Sequence, residues 1–437
     1  MLTYAPPTAV IPEKLLQFIW LHRYYNFQAA YTTEGEKVEI LYPGMFNTNQ
    51  GPDFLNARVV IGNTTWAGHV EIHVNARDWD RHHHSGDSNY DNVILHVVWQ
   101  QEVPAKTMQT RSVPVLELQS LVSVLMLNEY RRLMEAPVAP ACGALLPVLT
   151  PPGWTAWKER LAVERLTRKS EEILQVLKQA NNHWEDVFWR LLARNFGLKV
   201  NASFFEQVAK SLPVNVLAKH KGQINQLEAL LLGQANLLEQ EMTGTYEKML
   251  QKEFRYLRHK YQLPAVKGTA SFLRMRPATF PTVRLAQLAM LIHKSSHLFS
   301  WIRDSAELKQ VTGFLDITAN DYWHYHYRPD QPADYLPKNL GQVMVHNVVI
   351  NTVVPVLFAY GLHMNDAVVK ERAVAWLLQT PGEKNSILQD WQQHTITAAN
   401  AMDSQALIEL KNNYCNARRC LECAVGNALL KTTIQNE

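Results

Sequence analysis

The sequence predicts an α+β protein, with an α/β domain at the N-terminus followed by a large all-helical domain. Three observations carry this. Short runs dense in β-branched and aromatic residues occupy 38–42, 54–61, 66–74 and 93–99, with another at 113–118. From about Trp154 the period changes: Trp157, Leu161, Leu166, Ile173, Leu174 and Leu177 recur at three- and four-residue steps, like one face of a helix. Between the two patterns lies a proline-rich stretch, 136–152, suited to a connector.

The elements follow in order. Pro12 ahead of Glu13-Lys14-Leu15-Leu16 places a proline and an acid where a helix N-terminus favours both, and this helix is expected to reach about Arg23. A turn at Glu34-Gly35 leads into the first strand. Gly62-Asn63, between two strand-like runs, predicts a tight turn and an antiparallel hairpin. The expected domains are 1–135, a linker over 136–153, and a helical domain over 154–437. The apolar run 348–360 is broken by Asn351 and Pro355, too short for a spanning helix, and reads as a buried helix with a kink. There is no internal repeat.

The bulk numbers narrow the class of function. A chain of 437 residues exceeds one ordinary core, and 47% hydrophobic with 19% charged residues is a globular composition, not a disordered one. A formal charge of +3 means that any affinity for nucleic acid must come from local patches. The opening Met1-Leu2-Thr3-Tyr4-Ala5-Pro6-Pro7 lacks the basic and apolar regions of a secretory signal, which predicts a cytoplasmic protein not embedded in a membrane. Four cysteines in such a chain are read as reduced thiols.

Chemistry concentrates in the predicted hairpin. Pairing outward from Gly62-Asn63 brings Asp53 opposite the region of Glu71 to Val74, and alternation sends Val70, Ile72 and Val74 to the core while Glu71 and His73 share the other face. An Asp at a strand entrance facing a Glu and a His offers hard oxygen ligands for Mg²⁺ or Mn²⁺ and a group to orient water, a combination suited to phosphodiester hydrolysis. The order helix, strand, Pro52-Asp53, then Glu71-x-His73 resembles the PD-(D/E)xK nuclease superfamily. That resemblance implies metal binding by Asp53 and Glu71 and assistance from a helix-borne Glu13; where the family usually has lysine, this chain has His73.

Downstream, Asp78-Trp79-Asp80-Arg81-His82-His83-His84-Ser85-Gly86-Asp87 can be a histidine-rich loop lining a phosphate-binding cleft, with His82 and His84 as nucleic-acid contacts, or an ordinary exposed loop. The run can also ligate a transition metal, and alternate residues such as His82 and His84 converge more readily than adjacent ones. His96, inside an apolar strand, reads as a hydrogen-bonded core histidine. The segment 51–99, together with Tyr414-Cys415 and Cys420-Leu421-x-Cys423, resembles a family of bacterial proteins designated a domain of unknown function, over nearly the full chain.

Cys415-x4-Cys420-x2-Cys423 gathers three thiols, and Cys142 in the linker supplies the fourth that a Zn²⁺ ion or an iron-sulfur cluster needs. Some nucleases of the superfamily carry a cluster built from one early and three late cysteines. Between 248 and 284, basic and aromatic residues interleave, and Arg274, Arg276 and Arg284, bounded by prolines, suit a phosphate clamp. The aromatic run 321–328 suits either base stacking or packing between helices. The leading expectation is a metal-dependent nuclease acting on DNA or RNA; the alternatives are a noncatalytic nucleic-acid- or protein-binding protein on a degraded nuclease-like fold, and a different metallohydrolase built on the histidines.

Overall fold

A computed structural model describes residues 11–101, 113–137, 140–143, 146, 148–295 and 297–435. It is mixed α+β, 58% helix and 12% strand, so helices dominate by mass while the sheet is confined to the N-terminal part. The chain divides into two compact units, Met1–Pro152 with Lys411–Glu437, and Gly153–Leu410.

The first unit opens on α1 (Glu13–His22), which ends where Arg23 adopts φ 55° and its N–H returns to the carbonyls of Ile19 and Trp20. Then come β1 (Val38–Tyr42), the short β2 (Met45–Phe46), β3 (Phe54–Ile61) and β4 (Thr64–Asn75). After them follow α2 (Asp78–Arg81), β5 (Val93–Gln100), β6 (Val115–Glu117) and α3 (Val124–Glu135). The sheet order is β1-β3-β4-β5-β6, with β2 pairing β3. The β1, β3 and β4 pairings are antiparallel, whereas β4/β5 and β5/β6 are parallel. Parallel neighbours cannot be joined by a tight turn, so residues 76–92 must cross the sheet from the end of β4 to the start of β5. That crossover carries the histidine run.

The β3/β4 hairpin turns at Gly62 with φ +59°, and Ile61 pairs Thr64 directly. The register holds to Ala57↔Gly68 and then slips, so that Phe54 pairs Val70. The slip is a bulge at Leu55-Asn56, with Asn56 at φ +58° and its N–H donating to His69 Nδ1 at 3.2 Å. It moves Asp53 from opposite Ile72 to opposite Glu71. Directly opposed residues in an antiparallel pair point to the same side, so this one residue places Asp53 on the face that holds Glu71 and His73. Both faces of β4 are covered: Val70, Glu71, Ile72 and His73 are all buried.

The second unit is helical and begins within the helix Pro151–Gln179, whose buried face includes the predicted Trp157, Leu161, Leu166, Ile173 and Leu177, while Leu174 is only half-buried. Pro151 and Pro152, expected to close the linker, instead lie in the first turn of this helix, where their missing N–H groups would be unpaired anyway. Within the expected linker, residues 138–139, 144–145 and 147 lie outside the described residues. The apolar run near 350 belongs to a helix from Gln342 to His363 that is long and apolar enough to cross a membrane but is mostly buried within its unit. Its irregularity is a π-helical segment, Val349–Val353, just before Pro355. The expected helical domain over 154–437 closes at Leu410; residues 411–437 fold back onto the first unit. There, Arg418 donates to the carbonyls of Leu133 and Ala136 at the end of α3, and Tyr24 donates to Asn427 at 2.6 Å, contacts more than 280 residues apart in sequence.

Candidate metal centre

The acidic half of the site is held by backbone. The Asp53 N–H donates to Glu71 Oε2 at 3.1 Å, and the Ile72 N–H donates to Asp53 Oδ2 at 3.0 Å. From α1, Gln17 Nε2 bonds Asp53 Oδ1 at 2.9 Å and Glu13 Oε1 at 3.3 Å. Glu13 and Gln17 are one helical turn apart, which puts both on the same face of α1. Gln17 is a site residue that residue type alone does not single out; its i+4 spacing from Glu13 is the available signal.

The other Glu71 oxygen faces imidazoles. Glu71 Oε1 is 3.4 Å from His73 Nε2 and 3.3 Å from His84 Nε2. His73 Nε2 is in turn 3.3 Å from His84 Nε2 and 3.3 Å from His82 Nδ1. The second nitrogen of His73, Nδ1, meets His96 Nε2 at 2.9 Å. His83 lies between the two converging histidines in the left-handed region, φ 59°, and is exposed. That backbone turn lets His82 and His84 reach one point while His83 leaves it. His84 and His73 are buried and His82 is exposed, so the cluster reaches solvent at one edge. Tyr90 stacks on His84 with centroids 3.9 Å apart, and Trp79 packs edge-on to His84 and tilted on His96.

Electrostatics follow from burial and crowding. Burial, then the neighbouring Glu13, pushes Asp53 up to about 7, against the pull of the Ile72 and Gln17 hydrogen bonds. Burial and then Asp53 push Glu71 up to about 9. Burial, with His96, His84 and His82 nearby, holds His73 down at about 2, and burial holds His96 at about 3. Burial and crowding thus favour the neutral form of both carboxyls and of both buried imidazoles.

Residues 13–386 match the family described as "Protein of unknown function (DUF2851)". The chain belongs to the DUF2851 family. No curated protein and no solved structure matches it. The matched span begins at Glu13, includes every residue of the carboxylate and imidazole cluster, and stops before the late cysteines.

In this DUF2851 protein the four cysteines come together within the first unit. Cys142, Cys415, Cys420 and Cys423 line one small cleft with Leu133, Tyr414 and Gly426. Burial and the neighbouring thiols push Cys142 up to about 12 and Cys423 to about 11, and burial raises Cys415 and Cys420 as well. The N–H groups of Val425 and Gly426, at the start of the helix Ala424–Gln435, point at the Cys423 sulfur.

The expected phosphate clamp does not assemble as a trio. Arg274 and Arg276 are exposed, but Arg284 is 7% exposed within the helix Pro281–Lys294 and donates to Gln287 Oε1 at 2.9 Å. That helix is buried on nearly every side, so a guanidinium in its first turn points inward. In the aromatic run, Trp323 is fully buried and Tyr322 stacks on Tyr246 and His326, which is packing between elements. His82 and His84 converge on His73, as expected for alternate histidines; His84 also faces Glu71, and His82 remains exposed. The helical unit has a cleft of about 520 Å³ bordered by Arg165, Lys169, Arg194, Lys199, Asn195 and Asn351.

Proposed function

We propose that this protein is a metal-dependent phosphodiesterase acting on nucleic acid, with its active centre on the N-terminal sheet. The observation that carries the reading is the pairing of Asp53 with Glu71 across a bulged hairpin, with Glu13 and Gln17 brought onto them by α1. Three antiparallel strands followed by a crossover to a parallel strand, with the Asp at the entrance of one strand and Glu71-x-His73 on the next, support the likeness to the PD-(D/E)xK nucleases.

Asp53 and Glu71 would hold Mg²⁺ or Mn²⁺, which supplies charge stabilisation at the phosphoryl oxygens and a more acidic bound water. The chain's own groups do the rest. Gln17 and the Ile72 N–H fix both oxygens of Asp53, so the carboxylate needs little reorganisation when substrate arrives. Glu13 is placed to accept a proton beside them. His73, at the position where the family usually has lysine, is a neutral imidazole tied to His96, so it orients its neighbours and carries no charge. Exposed cations such as Arg274 and Arg276 would meet the phosphate backbone.

The four thiols support a second, structural centre, Zn²⁺ or an iron-sulfur cluster, tying the end of α3 to the returning C-terminal segment. Reduced thiols of this kind fit a cytoplasmic setting. The test of function is cleavage of single- and double-stranded DNA and RNA with Mg²⁺ and Mn²⁺ by the wild type, Asp53→Asn and Glu71→Gln. Cleavage lost in both variants supports the reading. Binding of nucleic acid without cleavage by the wild type would favour a noncatalytic binding protein, and cleavage that survives both substitutions would refute the assignment.

A further inference from the structure

We propose that His73, His82, His84 and Glu71 bind one transition-metal ion of the zinc class, at a position separate from the Mg²⁺ or Mn²⁺ position between Asp53 and Glu71. The site assignment stands on geometry alone; only its role, as the partner ion reached through the shared Glu71, rests on the phosphodiesterase reading.

Four of the six donor separations have the length of a tetrahedron's edge. With ligand bonds of about 2.0–2.1 Å, as zinc makes to nitrogen and oxygen, a tetrahedron has edges of about 3.3–3.4 Å. Four measured separations among these donors, His73 to His82, His73 to His84, His73 to Glu71 and His84 to Glu71, are 3.3, 3.3, 3.4 and 3.3 Å. The three imidazole nitrogens all lie within 4.8 Å of one another. The donors come from two segments, β4 and the crossover, so their convergence is not the by-product of one helix or strand periodicity.

A neutral imidazole carries one N–H. If His73 donates from Nδ1 to His96 Nε2, its Nε2 is a bare lone pair that faces His82 Nδ1, His84 Nε2 and Glu71 Oε1. His82 Nδ1 and His84 Nε2 can present lone pairs in the same way, so that three imidazole nitrogens and one Glu71 oxygen converge. An ion at the centre satisfies all four atoms at once. The His73–His96 contact is also the kind of outer hydrogen bond that fixes the tautomer of a ligating histidine. Trp79 and Tyr90 shield the buried side, and the exposed His82 leaves a route of access from solvent.

Three nitrogens and one carboxylate suit Zn²⁺ over Mg²⁺, which prefers six oxygen ligands. Glu71 turns Oε1 to the imidazoles and Oε2 to the Asp53 N–H, so it would be the residue shared by the two metal positions.

The test uses the full-length protein without a histidine tag, stripped with chelator and titrated with Co²⁺, whose intense visible bands report tetrahedral coordination. His82→Ala is the principal variant because the side chain is exposed and its loss leaves the packing intact; the wild-type-minus-His82→Ala difference spectrum separates this site from the thiols. His84→Ala is the second variant. The expected result is one equivalent of tetrahedral Co²⁺ in that difference spectrum, displaced by Zn²⁺ and retained in Asp53→Asn. Affinity should fall more than about 100-fold in either histidine variant, beyond the loss typical of an outer-shell change. A wild type that gives no such difference band, or one in which His84→Ala binds like the wild type, overturns the proposal. If Co²⁺ binds as described and no nucleic acid is cut, the site stands and the phosphodiesterase reading fails. If nucleic acid is cut and the Co²⁺ band is missing, the zinc-class site fails and the phosphodiesterase reading stands.

Discussion

Replacing Glu228 with Gln should remove a pH dependence of stability from the helical unit. Glu228 is fully buried, with Tyr246 Oη donating to its Oε2 at 2.6 Å and Trp323 Nε1 donating to the same oxygen at 3.1 Å. Its other oxygen, Oε1, has no hydrogen-bond partner. Burial pushes its pKa from 4.5 to about 7, even though the Tyr246, Trp323 and Asn320 contacts favour the ionised form. Between those two values the folded chain keeps a proton that the unfolded chain has released. Stability is therefore highest below pH 4.5, falls as pH rises toward 7, and is flat above that. At 1.36 kcal/mol per pH unit, the span amounts to about 3 kcal/mol. For a unit of this size that corresponds to a shift of about 6–12 °C in melting temperature. Gln cannot ionise, so Glu228→Gln should melt near the wild type at pH 4.5 and above it at pH 8, as followed by circular dichroism at fixed ionic strength. Other groups titrate in both proteins, and the difference between the two curves cancels them. A difference that stays constant from pH 4.5 to 8 would show that Glu228 is ionised in the fold and that the reasoning is wrong.

Other substitutions probe the elements that build the centre. A Cβ at Gly68 would overlap Ile94 Cγ2 and lie 2.5 Å from the Asn92 carbonyl, so Gly68→Ala should destabilise the first unit by about 1–3 kcal/mol in urea denaturation. Asn56→Ile forces a β-branched residue into the left-handed bulge and should cost about 1–2 kcal/mol and lower cleavage, whereas Asn56→Gly should keep both. In the second unit, Glu409 receives Arg168 at 2.7 Å and lies 3.6 Å from the mostly buried Arg165, which also bonds Gln405; Glu409→Ala removes the carboxylate but leaves that partner and should cost about 1–3 kcal/mol by the same measurement.

What the sequence discloses depends on how local the determinant is. Strands β1 and β3 have the expected bounds because β-branched runs flanked by turn residues define themselves within a few positions. The Gly62-Asn63 turn is equally local, and so is the helical periodicity of Pro151–Gln179. Strand alternation, by contrast, is the same whether a neighbour runs parallel or antiparallel. The parallel step from β4 to β5 is therefore invisible in the sequence, and with it the crossing of His82 and His84 over His73. Spacing does indicate that alternate histidines can converge; it cannot say on what. Arg284 misleads for a related reason, since basic residues next to prolines look the same on a surface turn and at the buried start of a helix. The return of residues 411–437 to the first unit is nonlocal by hundreds of residues, and only the distribution of the cysteines hints at it.

The bulge at Asn56 joins these levels. Without it, the register set by Ile61↔Thr64 would run on unbroken and put Asp53 opposite Ile72, on the face where β4 buries its aliphatic residues. A carboxylate there would be turned away from Glu71 and from Gln17. Because one left-handed residue absorbs the slip, Asp53 and Glu71 face each other, and Glu71 is left with one oxygen for Asp53 and one for the histidines of the crossover. The acidic pair and the imidazole cluster are thus not two independent accidents of composition. Glu71 belongs to both, but only the acidic pair depends on the β3/β4 register: any variant that restores a regular ladder should uncouple Asp53 from the centre while leaving His73, His82 and His84 in place.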